Sequence, residues 1–276
     1  TWNQGSNVIG AVQLGATETT ASDFKIDTVW VRKYASTEPS VAAPTNEEKG
    51  PGPVAYWKFD EGSGTTAKDS TTNGNTGTLT NMASPPATNS GWIEESRCVS
   101  GKCLAFDGGN DYINLPDNNS LDVADTFTIS AWVKRSGTGT AQYITQKDLG
   151  AFAWGFDANN KLFLDKPGTA NIFTSTNSYT DTSSWHHYVI TKNGSSLSAY
   201  VDGKLITGTF SNQTLTNNSN AMSIGANSGG TGSFLNGQID EPKIYNYARS
   251  ADQVKVDYNN GAQVLGASDA NKNLSN

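Results

Sequence analysis

Between Trp185 and Gly203 the side chains alternate with a period of two. His187, Val189 and Thr191 alternate with Tyr188 and Ile190, Leu197, Ala199 and Val201 alternate with Ser198 and Tyr200, and Lys192-Asn193-Gly194-Ser195 separates the runs. This pattern predicts a β-hairpin. Val201-Asp202-Gly203-Lys204 predicts a second tight turn into Leu205 and Ile206. Because an antiparallel pair with one apolar face is stable only when a further layer covers that face, the chain is expected to build a sandwich or a barrel.

Strand patterns recur from Val54 onward. Val54-Ala-Tyr-Trp-Lys-Phe-Asp60 reads as a strand, Leu104 to Leu115 as a hairpin, and Phe127 to Val133 as a strand too apolar for an edge. Tyr143-Ile144 and Phe152 to Phe156 are expected to pair around a turn at Asp148, followed by a strand at Lys161 to Asp165. Met222 to Gly225 and Gly237 to Tyr247 supply the last strands, and the first and last strands are expected to be neighbours. Roughly a dozen short strands with turns every eight to twelve residues or so form the pattern of a two-sheet jelly roll. The helical signal is confined to Ser250 to Tyr258, with Ser250 as N-cap and Gln253 completing a capping box.

The first forty or so residues echo the end of the chain. Ile9-Gly10-Ala11, Phe24-Lys-Ile-Asp27 and Tyr34-Ala35 repeat the order of Ile224-Gly225-Ala226, Gly237-Gln-Ile-Asp240 and Tyr247-Ala248. Residues 1–40 therefore read as an N-terminal strand-pair segment, the last strands of a preceding sandwich-like domain, with chance similarity as the alternative. Residues 41–53 are a Pro-rich linker, 54–262 the jelly roll, and 263–276 a polar tail. An isolated strand pair needs a host, so residues 1–36 are expected to dock within the chain or onto another copy by strand donation.

Composition narrows the function. A net charge of −7 and a pI near 4.8, without a basic stripe, argue against nucleic acid and anionic lipid as partners. No apolar run is long enough for direct membrane insertion. With no initiator Met and no leader pattern, the sequence is expected to be an interior piece of a longer secreted precursor. Cys98 and Cys103 flank Val-Ser-Gly-Lys, where Gly101 permits a tight bend, so a disulfide is the preferred reading and two free thiols the alternative.

Six motifs then carry a resemblance. Phe59-Asp60-Glu61-Gly62-Ser63-Gly64, Phe106-Asp107-Gly108 with Asp111-Tyr112, Phe127 to Trp132, Trp185-His186-His187, Tyr200-Val201-Asp202-Gly203 and Gly237 to Glu241 stand in the order found in the laminin-G-like, concanavalin A-like lectin superfamily of bacterial and archaeal surface proteins. The resemblance spans about Val54 to Ala262. It implies an all-β, two-sheet antiparallel jelly-roll sandwich, an extracellular or cell-surface location, frequent structural calcium, and roles in carbohydrate binding or adhesion.

Calcium takes several oxygens from flexible loops, and Asp69, Asn73 and Asn75 offer side-chain oxygens around the Gly74 bend, which Asp60 and Asp240 reach if the first and last strands pair. The alternative is an Asx-turn loop closed by its own hydrogen bonds. In pentraxins, distant relatives, a sugar-facing calcium site draws on the loops that match Asp148 and Asn227. Here the second of these, Ala226-Asn-Ser-Gly-Gly-Thr-Gly, lacks acids, which puts such a site in doubt. Those two loops, with Trp154, are the expected ligand contacts; Trp92 and Trp154 are the tryptophans whose context permits exposure, while Trp57, Trp132 and Trp185 read as core. The sequons starting at Asn118, Asn193, Asn212, Asn217 and Asn273 mark turns first.

Catalysis is not expected. A glycoside hydrolase of this architecture needs two carboxylates on one face of a strand, and the acidic pairs Asp60-Glu61, Glu94-Glu95 and Asp240-Glu241 are adjacent, so that extended backbone points them apart. His186 and His187 have no third His and no nearby Cys to complete a ligand set. The expected function is a non-catalytic module that binds a glycan or surface polysaccharide, or mediates adhesion; the alternative is a structural subunit of a surface filament assembled by strand donation.

Overall fold

A computed structural model describes residues 51–272, with the exception of Pro85 and Leu149. Residues 1–50, and with them the strand-pair segment and most of the linker, lie outside the described residues, as does the sequon Asn273.

The described chain is built from strands. In order they are β1 (Ala55–Tyr56), β2 (Thr66–Ala67), β3 (Gly77–Thr80), β4 (Gly91–Ile93), β5 (Cys103–Asp107), β6 (Tyr112–Leu115), β7 (Thr126–Arg135), β8 (Gln142–Lys147) and β9 (Phe152–Phe156). Then follow β10 (Lys161–Lys166), β11 (Ala170–Ser178), β12 (His186–Asn193), β13 (Ser196–Val201), β14 (Lys204–Ile206), β15 (Gly208–Phe210), β16 (Met222–Ile224) and β17 (Asn236–Tyr245), and the helix α1 (Ala251–Lys272) closes the chain. One sheet runs β14-β13-β12-β7-β17-β5-β4, with β1 also on β17. The other runs β15-β11-β10-β9-β8-β16-β6-β3-β2. This is the all-β, two-sheet antiparallel sandwich expected from the alternation.

The opening hairpin is β12–β13, paired from Tyr188↔Val201 to Asn193↔Ser196, and Val201↔Lys204 begins the second turn into β14. Asp202 takes a left-handed φ of 52° there, with its Oδ1 accepting from His187 N of the facing strand at 2.9 Å, and Gly203 follows at 68°. β7 is central, flanked by β12 and β17, as its apolar run requires. β1 pairs with β17 through Ala55↔Ile244 and Tyr56↔Lys243, joining the first and last strands.

One pairing differs from expectation. Leu104 to Leu115 is not a hairpin: β5 pairs with β17 and β4, β6 pairs with β16 and β3, and the chain crosses between sheets at Gly108 to Asp111. Two apolar runs joined by Asp-Gly-Gly-Asn-Asp look identical locally whether they pair with each other or turn a corner of the sandwich. The helix also runs past residue 262, where the tail was expected to begin.

The core lies between the sheets, where Trp57, Phe106, Phe127, Ile129, Phe152, Trp154, Phe156 and Ile239 are among the buried side chains. Tyr188 and Ile190 of β12 point into this core, whereas Val189 on the opposite face meets Tyr200 and Val254 of α1. The helix thus covers a patch of the outer face of the first sheet, with Tyr258 stacked on Trp132 at 5.7 Å. Gly261 sits there because a Cβ would come within 2.5 Å of the Trp132 ring.

Cys98 and Cys103 form a disulfide. The loop it closes is held from two sides: Asp240 Oδ2 accepts from Val99 N and Ser100 N at 2.9 and 3.0 Å, and Asp60 Oδ1 accepts from Lys102 N at 2.9 Å. Half-buried Trp185 packs against the disulfide cluster rather than in the central core.

Candidate functional site

The second sheet positions the loops around Asp148 and Asn227. Along β9, Phe152, Trp154 and Phe156 enter the core, so Ala153 and Gly155 take the outer face. Register extends that face into two rows: Tyr143 and Phe163 flank Gly155, and Gln146 and Asp165 flank Ala153. Over Gly155 the rings of Tyr143 and Phe163 meet edge to face at 5.1 Å. Gly155 is required at this point, because at the β8 bulge a Cβ would lie 2.2 Å from the Gln142 carbonyl oxygen.

Gln146 brings the two loops together. Its Nε2 donates to Asp148 Oδ1 at 3.4 Å, and its Oε1 accepts from Ser228 N at 3.0 Å. Only 7% exposed, it ties the β8–β9 turn to the loop after β16. The same loop is fastened by Gly229 N to Ser223 Oγ at 3.2 Å and by the Ser233 carbonyl, which accepts from Tyr143 N at 2.9 Å. Asn218 donates to the Asp148 carbonyl, and Asn220 N donates to Asn218 Oδ1, so a third loop closes on the same turn.

Of the three expected ligand contacts, Asp148 and Asn227 stand on joined loops, in different roles. Asn227 Oδ1 accepts from Thr231 N at 2.8 Å and Gly232 N at 2.9 Å, so its amide shapes its own loop. Trp154 is corrected: it is 1% exposed and belongs to the core, as does Trp92. The aromatic side chain near the loops is instead Tyr143, half-buried on the outer face. Tyr143, Gln146 and Asp165 were missed because their place depends on register across β8, β9 and β10. The signal present in the sequence was the pair of small residues at Ala153 and Gly155, which leaves room over the sheet.

Electrostatics set the character of this patch. Burial, then the charges of Asp165 and Asp148, push the Tyr143 phenol up, with the Ser233 hydroxyl opposing. Burial, then the Asp157 charge, push Asp165 up to about 6, and its Oδ1 is buried with no hydrogen-bond partner. The result is an aromatic ring beside two carboxylates and a carboxamide, the kind of surface on which a sugar ring can stack while its hydroxyls donate.

The calcium set is not assembled in this way. Asp69 is enclosed by donors: Oδ1 accepts from Tyr56 N at 3.1 Å and Thr71 N at 2.8 Å, and Oδ2 from Thr71 Oγ1, Asn75 N and Asn75 Nδ2 at 2.9, 2.9 and 2.8 Å. These bonds hold its carboxyl below the usual range against the opposing effect of burial. Asn73 Nδ2 donates to the Val54 carbonyl at 2.8 Å, while Asp60 and Asp240 are engaged on the disulfide loop. A carboxylate ringed by N–H and O–H donors does not fit a cation, and the arrangement is an Asx-turn loop closed by its own hydrogen bonds. Among the described residues, no group of three or more His, Cys, Asp and Glu side chains is placed to hold a metal.

A cavity of ≈200 Å³ lies elsewhere, between α1 and the first sheet, lined in part by Trp132, Glu241, Lys243 and Asp257. Its charges are paired, Lys243 with Glu241 at 3.0 Å and Asp257 with Arg249 at 2.9 Å.

The two histidines have separate structural roles. His186 bridges Asp202 at 2.7 Å and Asp181 at 3.1 Å, and the bond from Asp202 holds it above its usual range against burial. His187 lies under Trp132 at 5.1 Å, where burial presses it down to about 3. A raised histidine stabilises fully below its unfolded value of about 6.5, and that share is lost as pH rises through the folded value. His187 acts in the opposite sense, its share being lost below about pH 6.5. The stability difference between the wild type and His186→Gln is therefore expected to shrink as pH rises above about 6.5 in urea titrations; a constant difference would remove the ionic role.

The family model for the concanavalin A-like lectin/glucanases superfamily matches residues 107–255. Among curated proteins nothing matches. Solved structures similar to this chain include domain 4 of AbnA, an extracellular arabinanase from Geobacillus stearothermophilus, in complex with arabinotriose, at 20% identity and a TM-score of 0.58, covering 74% of this chain and 97% of that one. The binding domain of Paraclostridial Mosquitocidal Protein 1 is similar at 18% identity and a TM-score of 0.57, covering 75% of this chain and 52% of that one. Trypanosoma rangeli sialidase is similar at 15% identity and a TM-score of 0.55, covering 77% of this chain and 33% of that one. At these identities the likeness is one of fold.

Proposed function

Because the chain belongs to the concanavalin A-like lectin/glucanases superfamily, we propose that it is a non-catalytic carbohydrate-binding module whose site is the patch where Gln146 joins the Asp148 and Asn227 loops. The observation that carries this reading is the joining of both loops at Gln146 beside the half-buried Tyr143 ring, with Asp165 across Ala153 on the same face. A sugar offers hydroxyl donors to carboxylates and an apolar ring face to an aromatic side chain, which is what such a patch can take. The neighbour in complex with arabinotriose supports the reading by analogy of fold.

The acidic pairs support a binding role over a hydrolytic one. Asp60 and Asp240 hold backbone N–H groups of the disulfide loop, Glu61 accepts from Lys68 N at 2.7 Å, and Glu241 pairs with Lys243 and the Tyr56 phenol. Carboxylates engaged in this way are poorly placed for general-acid and nucleophile work. A disulfide suits an oxidising compartment, which supports the proposal of a location outside the cell or on its surface.

Titration of the full chain against a panel of oligosaccharides tests the proposal. Tyr143→Ala and Asp148→Ala are expected to weaken binding by roughly tenfold each, about 1.4 kcal/mol, with circular dichroism unchanged. Unaltered affinity in both variants, or cleavage of a bound oligosaccharide by the purified chain, would overturn it.

A further inference from the structure

We propose that this site takes uncharged glycans and discriminates against sugars that carry a carboxylate or a sulfate. The inference rests on the carbohydrate-binding reading and concerns the charge of its ligand.

The groups around the Tyr143 ring accept hydrogen bonds far more readily than they donate them. Asp165 and Asp148 both lie close enough to act on the phenol by charge. Asp165 stands across Ala153 from Gln146, and Asp148 is held at Gln146 Nε2, so register and that bond bring both carboxylates to one patch. Of the Gln146 amide, the oxygen is taken up by Ser228 N and one of the two N–H groups by Asp148. Neutral hydroxyls present both a donor and an acceptor and satisfy such a surface; an acidic group has only acceptors to offer and meets two carboxylates.

Cations that would reverse this balance are turned elsewhere. Lys147, which follows Gln146, is fully buried with its Nζ at 2.7 Å from Asp117 and 2.6 Å from Asp122. Lys166, which follows Asp165, donates through Nζ to the Thr214 carbonyl at 2.7 Å. Lys161 stands two rows away from Asp165 along β10, beyond Phe163. Among the described residues, an acidic sugar at the Tyr143 ring therefore meets like charge without a counterion, a pairing that strongly disfavours the wrong partner.

The experiment is calorimetric titration of the full chain with neutral and acidic oligosaccharides built on the same core: lactose and sialyllactose, and xylo-oligosaccharides without and with glucuronyl branches. The neutral member of a pair is expected to bind at least about tenfold more tightly than its acidic counterpart. Asp165→Asn is expected to narrow that gap while the circular dichroism spectrum is kept, and Asp148→Asn provides the same test from the other carboxylate. Equal or tighter binding of the acidic members would overturn the inference and leave the carbohydrate-binding reading in place. Binding of no member of the panel would sink that reading, and the inference with it.

Discussion

Replacing Lys147 by alanine is expected to destabilise the protein by about 3–5 kcal/mol, the range found when one partner of a buried ion pair is removed. The ammonium is fully buried and bonds two carboxylates, Asp117 at 2.7 Å and Asp122 at 2.6 Å. Its stem runs along the core side of β8, opposite Phe152 and Met222 in the ladder. Alanine leaves two acids facing each other without a cation and a void where the stem lay, so both charge and packing are lost. Adding Asp117→Asn and Asp122→Asn to Lys147→Met is expected to recover most of the deficit, because the arrangement then holds no unpaired charge. Urea unfolding of the four proteins is the measurement, and a loss below about 1 kcal/mol for Lys147→Ala would show that water already shares this bridge.

Trp154→Ala is expected to cost about 3–5 kcal/mol, the usual range for truncating a buried aromatic, and to act on stability rather than on ligand affinity per folded molecule. Trp154 is 1% exposed, pairs across β9 with Thr145 and Leu164, and shares the core with Phe152 and Phe156. Trp154→Phe keeps the ring in place, and its folded fraction is expected to bind glycan like the wild type. Thermal unfolding followed by titration separates the two effects: unchanged stability with lost binding would restore Trp154 as a ligand platform.

Strands were legible in the sequence because alternation is a local property. The β12–β13 hairpin, the central place of β7 and the meeting of β1 with β17 follow from side-chain period and apolar content. Two of the residues that position the candidate site, Asp148 and Asn227, were visible as turn residues in polar loops. Gln146 and Asp165 were not, since a polar residue in a strand reads the same whether it faces bulk water or a neighbouring loop. What distinguishes them is the register that sets Ala153 between them.

The chain's own pattern therefore determined that it folds as two antiparallel sheets, because apolar faces repeating every second residue have no other way to leave water. Tertiary structure alone decided which sheet each strand joined, so that Leu104 to Leu115 became a crossing between layers instead of a hairpin. It also decided which face of β9 was inside, sending Trp154 into the core and opening Ala153 and Gly155 toward the loops. Local sequence sets the spacing of side chains along a strand; the side from which another layer arrives is settled by contacts between residues far apart in the chain.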